Sequence, residues 1–165
     1  MMRSTSSPHP DPLRAGEGTV HPVLFYDGVC GMCDRAVQFV LRHDRAARFR
    51  FAALQSDFAR AVLARHGCQA GALDTMYLLL GAGTADERLL SRSDAILAIL
   101  GDLGGPWSVP ALARVLPRSW RDRAYDVIAR NRYRWFGRYD QCALPPAKAR
   151  ERFIGGAEDT LSVQR

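Results

Sequence analysis

Two cysteines separated by two residues, Cys30 and Cys33, are the side chains of this sequence with the clearest chemistry. They follow a short apolar run, Val23–Tyr26, and precede apolar residues at helical spacing up to about Arg42. Cys30 therefore falls at a predicted helix N-terminus, where unpaired N–H groups and the helix dipole stabilise a thiolate. We predict Cys30 as the exposed, attacking thiolate. Cys33, one turn further in and more buried, would resolve the mixed disulfide.

Asp27 lies at the end of the predicted strand, three residues before Cys30. If its carboxyl group is partly buried beside the cysteines, it could accept the proton of Cys33 during resolution. Alternatively, it could form an Asx turn or another hydrogen bond that holds the loop. The sequence leaves both interpretations open.

The same cysteine spacing is also half of a zinc-ligand set, so a zinc or copper site is an alternative function. The other half of such a set is missing, because Cys68 and Cys142 are not at ligand spacing from each other. We interpret both as buried small hydrophobic residues, the commoner role of a free cysteine. Cys142 could still be a third redox-relevant thiol.

Composition favours one domain in a reducing compartment. A chain of 165 residues with 4 cysteines can bury a core without metal or disulfide, and it is too poor in cysteine for a disulfide scaffold. Residues 1–21 lack the apolar core of a signal peptide, and no apolar stretch reaches the length of a transmembrane helix. We expect a cytoplasmic protein with no membrane partner.

The formal net charge of +6 raises the possibility of nucleic-acid binding. The segment Arg130–Tyr139 interleaves basic and aromatic residues, as in single-strand binding surfaces. We favour instead an amphipathic helix end that packs its aromatic side chains on the sheet and leaves its arginines in water. Nucleic acid is therefore an unlikely partner.

The predicted elements follow the order β-α-β-α-β-β-α, with further helical patterns after Pro110. This is the thioredoxin order, so we predict an α/β, thioredoxin-like fold with a C-terminal helical extension. Ser56 and Ser93 are the predicted N-caps of the second and third helices. The predicted domains are a disordered tail over 1–21, the thioredoxin-like domain over 22–146 and a C-terminal tail over 147–165.

The run Val23–Cys33 closely resembles the signature of the DCC family of thioredoxin-like, predicted thiol–disulfide oxidoreductases, named for one Asp and two Cys. The resemblance extends over about 22–146 and includes Phe51–Ser56, Ser93–Ala95 and Tyr133–Arg138. It implies that Asp27, Cys30 and Cys33 are the site residues of a protein-disulfide reductase type of enzyme. Such an enzyme acts on a protein or small-molecule disulfide, receives electrons from a thiol system and needs no cofactor.

One feature departs from thioredoxins themselves, which have a cis-proline just before the third strand. Here the corresponding stretch, Gly71–Thr75, contains no proline. The difference puts thioredoxin-style peptide docking in doubt and keeps the metal alternative open.

Overall fold

The computed structural model describes residues 14–15, 19–68, 75–139 and 147–155. Most of the predicted N-terminal tail, the segment 69–74 and Cys142 lie outside the described residues. In the described part of the chain, no helix is both long and apolar enough to cross a bilayer. The predicted site residues Asp27, Cys30 and Cys33 all lie within it.

The centre of the fold is a five-stranded mixed sheet. The described residues form seven strands, of which five belong to this sheet. They are β1 (Arg14–Ala15), β2 (Thr19–Val20), β3 (Val23–Tyr26), β4 (Arg50–Ala53), β5 (Tyr77–Leu80), β6 (Arg88–Ser91) and β7 (Phe153–Ile154). The order across the sheet is β6-β5-β3-β4-β7, and β1 and β2 form a separate antiparallel pair. The central strand, β3, runs parallel to β4 and antiparallel to β5.

Helices cover both faces of the sheet. They are α1 (Gly31–His43), α2 (Asp57–Arg65), α3 (Arg92–Leu103), α4 (Ser108–Ala111) and α5 (Arg118–Phe136), with 3-10 helices at Gly105–Trp107, Leu112–Val115 and Ala147–Arg152. The predicted order from β3 to α3 and the thioredoxin-like fold class are confirmed. α4 and α5 form the predicted helical extension.

The strand β3 is buried on both faces, which explains its unbroken apolar sequence. Leu24 and Tyr26 pack in the hydrophobic cluster that includes residues of α1 and α3. Val23 and Phe25 pack in the opposite cluster, which includes residues of α2. The end of β3, where the cysteines follow, is therefore held rigidly from both sides.

One of the two predicted N-caps is confirmed. Ser56 Oγ accepts a hydrogen bond from Ala59 N (3.2 Å) at the start of α2. The prediction for Ser93 is wrong, because α3 begins one residue before it and Ser91 occupies the N-cap position. Ser93 Oγ instead donates to Asp122 Oδ1 of α5 (2.5 Å), a partner distant in sequence.

Packed residues extend beyond the predicted domain limits at both ends. His21 is buried and its Nδ1 donates to a backbone carbonyl 2.7 Å away. In the 3-10 helix before β7, Arg152 is buried and forms an ion pair with Asp44. The strands at these ends, Thr19–Val20 and Phe153–Ile154, have two residues each and are too short to show a periodic pattern in the sequence.

Gly31 is required by the close approach of α5 to the start of α1. A Cβ atom at this position would lie 2.3 Å from the carbonyl oxygen of Phe136. We expect Gly31→Ala to lower the free energy of unfolding by about 1–3 kcal/mol, the usual cost of overpacking. Urea denaturation of the reduced protein measures this change.

Gly101→Ala is the matched control. A Cβ atom at Gly101, within α3, would meet its nearest neighbour at 3.8 Å, an ordinary contact. The substitution should stabilise the protein by up to about 1 kcal/mol, the helix preference for Ala over Gly. Equal effects of the two substitutions would contradict the packing described for Gly31.

Candidate active site

Cys30 and Cys33 lie at the junction of β3 and α1, as predicted. Cys30 is the N-cap residue, with extended backbone (φ −93°, ψ 118°), and Cys33 lies in the first helical turn. Both are free thiols, and they are 0% and 5% exposed. The expectation that Cys30 is exposed is therefore wrong.

The cover over Cys30 comes from Gly137–Tyr139, the segment after α5, which we call the strap. Its first residue accepts a hydrogen bond from Gly31 N (3.3 Å), and its last residue donates to Val29 O (2.8 Å). These bonds form an isolated antiparallel bridge at Cys30. Burial of Cys30 thus results from a pairing with distant residues, which the local sequence does not reveal.

Asp27 is buried at the end of β3, and hydrogen bonds reach both of its carboxylate oxygens. Oδ1 accepts from Val29 N (3.2 Å) and from Gln55 Nε2 (2.9 Å). Oδ2 accepts from Arg132 Nη2 (3.3 Å) and from the hydroxyl group of Tyr133 (2.5 Å). The bond to Val29 is the Asx-type contact of the structural interpretation, so Asp27 does hold the loop. Its role as a proton acceptor stays a prediction.

Arg132, near the end of α5, is a buried cation beside the thiols. Its side chain is 2% exposed and forms an ion pair with Asp27. Its charge acts on Cys33, and both cysteines act on it in turn. Burial opposes the charge, but a hydrogen bond to Tyr133 and the neighbouring thiols raise the pKa of Arg132 above its ordinary value.

The basic aromatic segment Arg130–Tyr139 follows the prediction in part. Arg130, Arg134 and Arg138 are exposed and Tyr133 packs against the core, but Arg132 and Trp135 are the reverse of the prediction. Arg132 points inward, whereas Trp135 is 52% exposed. On the preceding turns of α5, Val127 and Ile128 are also substantially exposed. The buried carboxylate of Asp27 explains the burial of Arg132, since an unpaired buried charge costs several kcal/mol.

A family model described as DCC1-like thiol-disulfide oxidoreductase matches residues 24–138. The chain belongs to this family. The match begins in β3 and ends in the strap, so it includes Asp27, Cys30, Cys33 and Arg132. The resemblance predicted from the sequence is confirmed.

Two curated relatives support the assignment to the DCC1-like family. The "Uncharacterized protein YuxK" of Bacillus subtilis (strain 168) is 33% identical over 132 residues, which cover 80% of this chain and 93% of that protein. The "DCC family protein At1g52590, chloroplastic" of Arabidopsis thaliana is 36% identical over 126 residues, 74% of this chain and 69% of that protein. The comparison with solved structures gives no match.

Sequence reasoning missed three residues of this DCC1-like site: Gln55, Arg132 and Tyr133. Gln55 and Tyr133 lie in segments of the family resemblance, but the resemblance assigns none of the three residues to the site. Arg132 stands among arginines of the same segment, and no local feature distinguishes a buried arginine from its exposed neighbours. Burial of the Asp27 carboxylate, which the sequence leaves open, is the one signal that would call for a cationic partner.

The proton of Cys33 is held tightly. Burial, the charge of Cys30 and a hydrogen bond between the two cysteines raise the pKa of Cys33 to about 12. A backbone hydrogen bond at Asp27 and the charge of Arg132 act in the other direction. At neutral pH Cys33 is therefore a thiol.

The described residues contain no group of three or more His, Cys, Asp or Glu side chains that could hold a metal ion. The zinc or copper alternative through Cys30 and Cys33 stays a hypothesis.

The raised pKa of Cys33 predicts how stability depends on pH. The folded reduced protein binds this proton more tightly than the unfolded chain. The contribution of the Cys33 thiol to the free energy of unfolding is therefore full below about pH 9 and is lost as the pH approaches 12. Across this window, the free energy of unfolding of the reduced wild type should fall more steeply than that of Cys33→Ala, by on the order of 1 kcal/mol per pH unit.

Urea unfolding of reduced protein at several pH values measures this difference. Cys68→Ala, which removes a thiol outside the pair, is the control and should follow the wild type. Parallel pH profiles for wild type and Cys33→Ala would contradict the environment assigned to Cys33.

Proposed function

We propose that this DCC1-like protein catalyses dithiol–disulfide exchange through Cys30 and Cys33. The observation that carries the proposal is the placement of both thiols at a helix N-terminus beside the buried cation of Arg132. Thiolates are the reactive form in disulfide exchange, and both the helix dipole and a nearby cation favour them.

The two cysteines take different roles in the proposed reaction. Cys30, at the N-cap, attacks one sulfur of the substrate disulfide; the substrate S–S bond breaks, and the first substrate thiolate leaves and takes a proton from solvent. Cys33 then loses its proton and attacks Cys30 Sγ in the mixed disulfide, which releases the second substrate thiol. Two electrons pass to the substrate, and the protein retains a Cys30–Cys33 disulfide.

The pKa of about 12 supports Cys33 as the resolving residue, because a protonated thiol does not attack first. Resolution requires that this proton is removed. Asp27 remains the proposed acceptor, and it would have to give up one of its present hydrogen bonds, for instance that from Gln55 at 2.9 Å. Its second proposed role is to hold Arg132 beside the thiols.

The proposed reaction sets requirements for partners and location. A protein or small-molecule disulfide is the substrate, and a separate thiol system must reduce the Cys30–Cys33 disulfide for turnover. We propose a reducing compartment, such as the cytoplasm, as its location. No nucleotide or metal takes part in the electron transfer.

Access to Cys30 constrains the proposed substrate. Because Cys30 is 0% exposed, a substrate sulfur reaches it either when the strap moves away or from the side of Cys33. The protein-disulfide reductase type expected from the sequence requires the first route.

The assigned roles predict asymmetric trapping. Treated with bis(2-hydroxyethyl) disulfide, Cys33→Ser should accumulate a stable mixed disulfide at Cys30, because the resolving thiol is absent. Cys30→Ser should accumulate little adduct at Cys33, because burial, the largest cause of the raised pKa of Cys33, remains in this variant. Intact-mass analysis with peptide mapping measures both.

Cys68→Ser is the control and should form the intramolecular disulfide as wild type does. Equal trapping by the two active-site variants would contradict the roles assigned here. Wild type that forms no Cys30–Cys33 disulfide would contradict the exchange reaction itself.

A further inference from the structure

A cavity of about 290 Å³ opens between α1, α3 and α5 and reaches the active-site pair from the side of Cys33. Its walls are almost entirely apolar, with Ala36 of α1, Ile99 of α3 and Ala129 of α5 among them. Cys33 and Arg132 also line it, so it brings a thiol and a cation to an apolar space. Concave apolar sites with a few converging polar groups are the usual form of small-molecule sites.

The cavity has a route to solvent. Two residues of its lining, Ile96 and Ile128, are 36% and 44% exposed. A ligand can therefore approach Cys33 between α3 and α5 without displacement of the strap.

The strap disfavours an extended polypeptide as the substrate. Proteins that capture extended peptides add them to free backbone N–H and C=O groups. Here the groups beside the cysteines, Gly31 N and Val29 O, are already bonded to the strap at 3.3 and 2.8 Å. A peptide could pair at this edge only after the strap had been removed.

The size of the cavity limits its occupant. A cavity of about 150 Å³ lined by apolar side chains binds one benzene molecule. A volume of about 290 Å³ thus accommodates about two groups of that size. A disulfide with two short apolar substituents fits this volume. Its substituents match the apolar walls, and its S–S bond matches the thiol at one end.

We propose that the cavity is the substrate site of this protein and that it binds small disulfides with apolar substituents, with the S–S bond at its Cys33 end. The proposal rests on the proposed function and specifies its substrate class. Cys30 Sγ, reached past Cys33, attacks one ligand sulfur; the ligand S–S bond breaks, a mixed disulfide forms at Cys30, and the first ligand thiolate takes a proton from solvent. Cys33 then loses its proton and attacks Cys30 Sγ, which releases the second ligand thiol. Each ligand thus takes two electrons and two protons and leaves as two thiols.

Two isosteric disulfides test the proposal. Dipropyl disulfide and bis(2-hydroxyethyl) disulfide have the same length and differ in terminal methyl against hydroxyl groups. The rate at which each oxidises the reduced wild-type pair is divided by its rate with dithiothreitol, which corrects for intrinsic reactivity. We expect a corrected preference of at least tenfold for dipropyl disulfide, because only its end groups gain from an apolar site.

Variants that fill the cavity from opposite walls test whether the preference for dipropyl disulfide arises from binding in the cavity. Ala36→Trp and Ala129→Phe should each reduce the corrected preference to less than threefold. Ala61→Trp, which places the same bulk on an exposed position of α2, should keep it. Circular dichroism identifies variants that do not fold, and the wild-type ratio decides the proposal without them.

Insulin serves as the protein disulfide in a third arm, corrected in the same way. A wild-type preference near onefold, a preference that survives both filled cavities, or a faster corrected reaction with insulin would each overturn the apolar substrate class and leave disulfide exchange intact. A wild-type protein oxidised by none of the three would overturn the proposed function as well.

Discussion

The buried ion pair between Asp27 and Arg132 is the constraint on which the site depends. Their side chains are 1% and 2% exposed, and they lie 105 positions apart in the chain. Neither charge could stay buried without the other, since a lone buried charge costs several kcal/mol. The pair therefore fixes the end of α5 above the junction of β3 and α1, which in turn brings the strap over Cys30.

Local patterns predicted those parts of the fold that nearby residues determine. The apolar run Val23–Tyr26 marked a strand buried on both faces, and Ser56 marked the start of α2 through a hydrogen bond within one turn. The position of Cys30 at a helix N-terminus likewise follows from the residues around it. In each case the determining contacts span a few residues, which is the range that sequence patterns report.

Contacts between distant residues determine what the sequence did not predict. Serine is a preferred N-cap residue, yet the hydroxyl group of Ser93 donates a hydrogen bond to Asp122 of α5. Arg132 resembles the exposed arginines around it, yet it is the partner of Asp27. Cys30 stands at a helix N-terminus, as predicted, but it is buried because the strap covers it. The local sequence therefore predicted neither the buried cation beside the thiols nor the burial of Cys30.

The reduction potential of the Cys30–Cys33 pair tests the central claim, that the cation of Arg132 acts on the thiols. A cation beside the pair favours the thiolate and so the reduced form, so Arg132→Gln should shift the midpoint in glutathione buffers to more negative values, on the order of 30 mV. Arg132→Lys, which keeps the charge, and Arg134→Gln, an exposed neighbour, should stay near wild type. An unchanged or more positive midpoint in Arg132→Gln would contradict the account.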